Sequence, residues 1–300
     1  MRKRVLLLVN GASGTGIAKN MVFDMVRYLT LAGCEVVAYP IIPGEGLTSE
    51  EIIKKRRRGI KAVVCCGGDG TLHHVMNGIC AAEMDLPICY IPLGSTNDFA
   101  HSLGIPDDLE KVCRAACGGR VFSCDVGRFN DRYFSYIAAF GAFTKVSYAT
   151  DQKIKNVLGY AAYVLSGILS LPESLACRAH LTITCDGKRM SGDYVFGAVS
   201  NATSVAGIDV SKLYRASMQD GCLEVILIQA PDNLVELGEI LATLASGSLD
   251  NPYVKVFSAK HVEIRSNQKL DWTMDGEFGG SHEKVDIQVC PGRLKLLLPE

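Results

Sequence analysis

Over the first third of the chain, short uninterrupted apolar runs alternate with stretches whose apolar residues recur at helical spacing. The run "RVLLLV" stops at a glycine-rich turn, and a helical pattern follows from Ile17 to Leu31. The same order returns three times. "CEVVAYP" precedes a charged helix around Ser49 to Arg58, "KAVVCC" precedes a helix starting near Thr71, and "LPICYIP" precedes another near Asn97. Apolar runs without alternation fit strands covered on both faces, and repeated strand–helix units fit a parallel sheet flanked by helices.

After Asp125 the rhythm changes to alternation. The segments "ACRAHLTITCD" and "RMSGDYVFGAVSN" flank Asp186-Gly187, a strong hairpin signal. Helical stretches interrupt this half near Lys153 to Leu171 and Asp232 to Ala245, and the terminal run "RLKLLLP" is apolar enough to rejoin a buried sheet. The expected fold is an α/β N-terminal nucleotide-binding domain, with a parallel sheet and flanking helices, plus a mainly antiparallel β C-terminal domain with helical insertions. Residues 1–127 with 291–300 form the first, and residues 128–290 the second. A length of 300 residues suits two domains with a cleft between them.

Composition narrows the classes. A formal net charge of -1 argues against general nucleic-acid affinity, so any basic contact surface must be local. Twelve scattered cysteines without a CxxC pair, and an N-terminus unlike a signal peptide, point to a reducing cytosol. No apolar run reaches the ~18 residues of a spanning helix. The longest, Val157 to Pro172, is broken by Gly159, Gly167 and serines and reads as a packed amphipathic helix.

Four motifs could carry chemistry. "GGDGTLHHVMNG" follows the strand "KAVVCC", at the strand end where open α/β sheets bind ligands. There two glycines let backbone approach a phosphate closely, and Asp69 and Thr71 can hold a metal ion or a hydroxyl. The same residues also make an ordinary tight turn with Thr71 as helix cap. "IPLGSTNDFA" puts Ser95, Thr96, Asn97 and Asp98 on the same rim, either as donors to phosphate or ribose or as a capping run. "NGASGTG" could cradle a phosphate with the main-chain N–H groups of Ser13, Gly14 and Gly16, but it has no Walker lysine and no full GxGxxG, which counts against a dinucleotide oxidoreductase. In "DWTMDGEF", Asp275 and Glu277 flank a glycine, as in many hairpin turns. Phosphoryl transfer to an alcohol needs such a cradle, a magnesium ion and a carboxylate that takes the hydroxyl proton.

In this order and setting the four stretches resemble the diacylglycerol kinase catalytic-domain family, which includes bacterial lipid kinases and sphingosine kinases. The resemblance covers essentially the whole chain, through "PLGSTNDFA", "DVGRFNDRYF", "LGYAAYVLSGI", "MQDGCLEV" and "MDGE". It implies an ATP- and magnesium-dependent lipid kinase, most simply one converting diacylglycerol to phosphatidic acid. Asn10, Ser13, Gly14, Gly67, Gly68, Asp69, Gly70, Thr71, Ser95, Thr96 and Asn97 would hold ATP. Asp69, Asp98 and Asp125 would organise magnesium, Asp220 would hold a structural magnesium, and Asp275 would be the general base with Glu277 beside it.

The chain departs from the family pattern at His73-His74, which replaces an Asn-Glu pair, and at Gln219-Asp220, which replaces "DDG". A lipid acceptor implies a cytoplasmic enzyme working peripherally at the inner membrane face. Lys54 to Arg58, or Lys145, Lys153 and Lys155, are candidate contacts with headgroups. A homodimer through the β-rich half is allowed by the resemblance alone. Two alternatives stay open: a kinase of a soluble alcohol, like NAD kinase or phosphofructokinase, and a non-catalytic nucleotide-binding regulator.

Overall fold

The structure is a computed structural model that describes residues 2–56, 58–94, 97–141, 178–201, 204–205, 208–209, 217–246 and 251–300. The helical stretch expected over 153–171 and the lysines at 145, 153 and 155 lie outside the described residues. The chain divides into two compact units, Met1–Cys124 with Gly292–Glu300, and Asp125–Pro291.

In the first unit, β1 (Lys3–Val9), β2 (Cys34–Pro40), β3 (Ala62–Gly67) and β4 (Ile88–Pro92) lie in the order β4-β3-β1-β2, all parallel. Leu296 from the C-terminal segment adds beside Ile88, also parallel. The continuous apolar runs are buried on both faces: Leu6, Leu7 and Leu8 on β1, Val63 and Val64 on β3, and Ile88 and Ile91 on β4. Among the described residues the strands are connected by α1 (Ile17–Asn20), α2 (Val22–Leu31), α3 (Ser49–Arg56), α4 (Asp69–Ala81), α5 (Asp98–Ser102) and α6 (Leu109–Gly118). They contribute Met25, Leu29, Leu72, Val75, Met76 and Val112 to the core. Each such side chain is worth about 1.5–3 kcal/mol of transfer free energy.

The single helix expected over 17–31 is two. Met21 N donates to Ala18 O at 3.3 Å, a tight i to i−3 bond that closes α1 before α2 begins. The helix α6 was not anticipated, although its start is legible: the Asp108 carboxylate accepts from Lys111 N at 3.1 Å, an N-cap. The basic run of α3 is a solvated face. Lys54, Lys55 and Arg56 are exposed, Lys55 pairs with Glu51 at 3.0 Å, and the Arg56 guanidinium lies 5.1 Å from the Tyr39 ring centre.

The second unit is built from antiparallel strands. β5 (Arg120–Phe129) pairs with β6 (Arg132–Phe134); β7 (Ile137–Gly141), β8 (Ala179–Cys185) and β9 (Lys188–Ser200) follow. A small ribbon joins β10 (Ser204–Val205) to β11 (Ile208–Asp209). Then come β12 (Leu223–Gln229), α7 (Leu234–Ser246), β13 (Val254–Ala259), β14 (His261–Met274) and β15 (Glu277–Leu298). The order β13-β12-β9-β7-β14-β15 holds them in one sheet, with β8 bridging β9 and β14. The unit's core gathers Phe129, Phe134, Phe140, Tyr194, Trp272 and aliphatics from β8, β12 and β14. Trp272 sits 4.9 Å from Phe129 and 4.8 Å from Phe140, centre to centre.

Two of the Asp-Gly pairs are two-residue hairpin turns. Asp186 and Gly187 have φ of 46° and 83°, and Asp275 and Gly276 have 49° and 87°. Positive φ at both positions is the primed turn whose twist suits a hairpin, and Asp-Gly tolerates it. Register follows from these turns, with Cys185 opposite Lys188 and Met274 opposite Glu277.

Candidate functional site

Three strands of the first unit end side by side, and each runs into one of the turns singled out from the sequence. Asn10 N, just beyond β1, donates to Cys66 O at 2.9 Å, and Leu93 N, just beyond β4, donates to Gly67 O at 2.8 Å. The turns after β3 and β4 then touch backbone to backbone. A Cβ on Gly94 would stand 2.6 Å from Gly68 Cα and 2.7 Å from Asn97 Oδ1, and a Cβ on Gly68 would stand 3.1 Å from Gly94 Cα. No side chain fits between them, so glycine is required by the approach itself.

Several polar side chains of this rim face one another. Asn10 Nδ2 donates to Thr71 Oγ1 at 2.9 Å, while Asn10 Oδ1 accepts from Ala12 N at 3.1 Å. Asn97, in the left-handed region at φ 50°, accepts from Gly94 N at 2.8 Å and donates back to Gly94 O at 3.0 Å. Asn10, Thr71 and Asn97 were expected to meet a phosphate, a ribose or a metal. In the structure their amides and hydroxyl hold the shape of the turns. Ser13 and Gly14 belong to a 3-10 turn, Ser13–Gly16, tied down by Ser13 N donating to Asn10 O at 3.1 Å. Ser95 and Thr96 lie outside the described residues, as does the side chain of Asp98.

Asp69 and Gly70 open α4, a 13-residue helix whose N-terminus carries its positive dipole end, with Thr71 N and Leu72 N donating to Gly68 O at 2.9 and 3.1 Å. Tyr90, buried on β4, donates its hydroxyl to Asp69 Oδ1 at 3.2 Å. Burial, and then the neighbouring Asp69 carboxylate, push the phenol well above its ordinary range, so it stays a donor. The sequence reading missed Tyr90. Its signal was a phenol in an otherwise aliphatic and thiol strand, "ICYIP", where a buried hydroxyl needs a partner.

His73 is buried and His74 is not. Asn77 Nδ2 lies 3.3 Å from His73 Nε2, and His74 Nδ1 lies 2.9 Å from Glu50 Oε1, joining α4 to α3. These contacts are packing and pairing roles for the two histidines.

In the second unit, Asp275 is held at the tip of the β14–β15 hairpin with its carboxylate full of donors. Oδ2 accepts from Ser135 N at 2.8 Å and Ser135 Oγ at 3.2 Å; Oδ1 accepts from Tyr136 N at 2.9 Å and Ile137 N at 3.0 Å. Asp275 N returns a bond to Ile137 O at 2.9 Å. Glu277 is exposed. Asp186, in the other Asp-Gly turn, clamps its neighbour in the same way, accepting from Lys260 N at 3.1 Å and His261 N at 2.9 Å.

Asp125 and Asp220 serve one loop. Asp125 is buried; its Oδ2 accepts from Gly221 N at 2.7 Å and its main-chain N donates to Met218 O at 2.8 Å. Asp220 closes the loop from within, taking Ser217 N on Oδ2 and Cys222 N on Oδ1, each at 3.0 Å. These carboxylates, expected as metal ligands, also accept from main-chain N–H groups. Loss of the Asp125 clamp has a measurable result: Asp125→Asn is expected to destabilise the second unit by about 2 kcal/mol, read by denaturant unfolding.

Magnesium takes oxygen ligands, retains several waters and needs only one or two carboxylates from the protein. Asp69, half-buried with one oxygen fixed by Tyr90, suits that demand. Among the described residues, one group of three metal-type side chains has ligand atoms within 4.8 Å of one another: His261, Glu263 and Asp286. It lies outside all four motifs, and the 2.7 Å pairing of His261 Nε2 with Asp286 Oδ2 accounts for its arrangement.

Known proteins carry the same plan. Residues 4–129 match the diacylglycerol kinase catalytic domain, and residues 137–298 match the YegS C-terminal NAD kinase beta sandwich-like domain. A diacylglycerol kinase of Staphylococcus aureus (strain JH9) is 34% identical over 282 residues, covering 93% of this chain and 88% of the relative. One from Staphylococcus carnosus (strain TM300) is 32% identical over 281 residues, covering 93% and 90%. A crystal structure of a diacylglycerol kinase from Bacillus anthracis str. Sterne superposes with a TM-score of 0.72 at 18% identity, over 99% of this chain and 97% of that one. A second from the same organism reaches 0.80 at 22%, over 99% and 95%. At those identities the structural likeness is one of fold. The sequence likeness reaches further: the chain belongs to the diacylglycerol kinase family of lipid kinases.

Proposed function

We propose that the protein transfers the γ-phosphoryl group of ATP, with magnesium, to the hydroxyl of diacylglycerol and so forms phosphatidic acid. The observation that carries this is the backbone contact of Gly68 with Gly94 beside the N-terminus of α4. It leaves main-chain N–H groups, a helix dipole and the Asp69 carboxylate at one set of parallel strand ends, where a nucleotide's phosphates are bound in this class of sheet. Family membership and the diacylglycerol kinases at 32–34% identity support the acceptor.

In this reading the turns after β1, β3 and β4 orient the triphosphate, and Ser95, Thr96 and Asn97 complete that cradle. Asp69 and Asp98 hold magnesium, which when bound neutralises charge on the β- and γ-phosphate oxygens. Asp125 and Asp220 shape the 217–222 loop. Asp275 accepts the proton of the acceptor hydroxyl as the new O–P bond forms, which demands little basicity because proton loss accompanies bond formation. The donors from Ser135, Tyr136 and Ile137 hold its carboxylate in one rotamer. Glu277 adds negative charge beside it.

A lipid acceptor makes the enzyme peripheral to a membrane on its cytoplasmic side. Among the described residues no helix is long and apolar enough to cross one. Liposome co-sedimentation lost on neutralising Lys145, Lys153 and Lys155 would support docking through that segment.

One observation favours a second reading, a soluble alcohol as acceptor: the likeness of residues 137–298 to an NAD kinase beta sandwich. An acceptor panel decides. Diacylglycerol and sphingosine in mixed micelles are set against NAD and sugar alcohols in buffer, with Asp69→Asn beside wild type. Lipid-dependent turnover that falls by about 100-fold in Asp69→Asn is expected. Turnover on NAD without lipid would replace the lipid reading with the second.

A further inference from the structure

We propose that Tyr90 is a positioning residue for phosphoryl transfer, its hydroxyl fixing the Asp69 carboxylate in the orientation that engages the magnesium–nucleotide complex. The inference rests on the reading of Asp69 given above and adds a residue that none of the motifs contains.

Packing does not explain the hydroxyl. Tyr90 is buried between Cys89 and Ile91 on β4, where phenylalanine would fill the same volume. A hydroxyl taken out of water must be matched by a hydrogen bond or it costs free energy. Its partner here is Asp69 Oδ1 at 3.2 Å, on the first residue of α4. The bond crosses between neighbouring parallel strands, because β4 pairs with β3 and Asp69 lies two residues past the end of β3. It therefore ties the helix-start carboxylate to a buried strand of the parallel sheet.

The N-cap of that helix is Gly68, which brings no side-chain bond of its own. A hydrogen bond to a charged acceptor is roughly twice as strong as a neutral one, and it selects one carboxylate rotamer. Outer partners of this kind, which orient a metal-binding carboxylate without touching the metal, typically cost 10–100-fold in metal affinity or activity when removed.

Tyr90→Phe deletes the hydroxyl and keeps the ring. The test is calorimetric titration of ATP into wild type, Tyr90→Phe and Asp69→Asn, each in excess magnesium and again in EDTA, with steady-state kinetics alongside. Tyr90→Phe is expected to lose roughly 10-fold or more of the magnesium-supported ATP affinity, to bind ATP in EDTA like wild type, and to keep its KM for diacylglycerol. A merely structural role would not separate magnesium from EDTA. Wild-type affinity in magnesium for Tyr90→Phe, beside a clear loss in Asp69→Asn, would overturn the positioning role and leave the reading of Asp69 intact. An Asp69→Asn protein with undiminished magnesium-supported binding would remove that reading and this inference with it.

Discussion

Asp275→Asn is expected to abolish detectable lipid phosphorylation and at the same time to lower the melting temperature. The two losses have separate causes. Catalysis goes because an amide cannot take the acceptor's proton. Stability goes because the wild-type carboxylate accepts from Ser135 N, Ser135 Oγ, Tyr136 N and Ile137 N, two donors on each oxygen. An asparagine keeps one acceptor oxygen and turns an NH2 group toward the other pair of donors. Hydrogen bonds to a charged group are worth about 1.5–3 kcal/mol each, so losing two costs about 3 kcal/mol or more. At 2–4 °C per kcal/mol this is a fall of roughly 6–12 °C in a unit of this size.

The second Asp-Gly turn supplies the control. Asp186 makes the same kind of clamp, to Lys260 N and His261 N, in a hairpin outside the four motifs. Asp186→Asn should melt early yet retain wild-type turnover per folded molecule. If both variants lost activity in proportion to stability alone, Asp275 would be a turn residue only.

Gly94→Ala carries the other large effect. Its methyl would lie 2.6 Å from Gly68 Cα, against backbone that has no side chain to swing aside, and 2.7 Å from the Asn97 oxygen that fixes the turn. The two turns must part, which costs about 1–3 kcal/mol as overpacking does. The nucleotide cradle opens with them. ATP affinity by calorimetry is expected to fall at least 10-fold, since a displacement near 1 Å at a positioning site can cost 100-fold. Gly104, at φ 64° with open space around it, is the contrasting position, where alanine strains the local turn and leaves nucleotide binding unchanged.

Much of this was legible in the chain because the signals are local. Unbroken apolar runs marked β1, β3 and β4, and Asp-Gly flanked by alternation marked the β8–β9 turn, each needing only near neighbours. The 3-10 turn at Ser13 and the break at Met21 were not legible, since a single i to i−3 bond decides them. What the polar groups of the motifs do was the least legible. Asn97 and Asn10 had the right chemistry for a phosphate, but the loop bonds they also make, with Gly94 and Ala12, depend on a backbone bend of a few residues. The partners of Asp275 lie some 140 residues earlier in the chain, at Ser135 to Ile137, and no spacing rule joins them. Tyr90 gave one usable hint, a hydroxyl in an apolar strand, without saying which acceptor it would reach.

The most informative single measurement is label transfer from γ-labelled ATP to diacylglycerol in mixed micelles, with magnesium or with EDTA, using folded wild-type protein. Labelled phosphatidic acid that appears only with magnesium, and is missing with Asp275→Asn, is the expected result. No labelled lipid from protein that still binds ATP, together with label in NAD or a sugar alcohol, would show that the acceptor has been read wrongly.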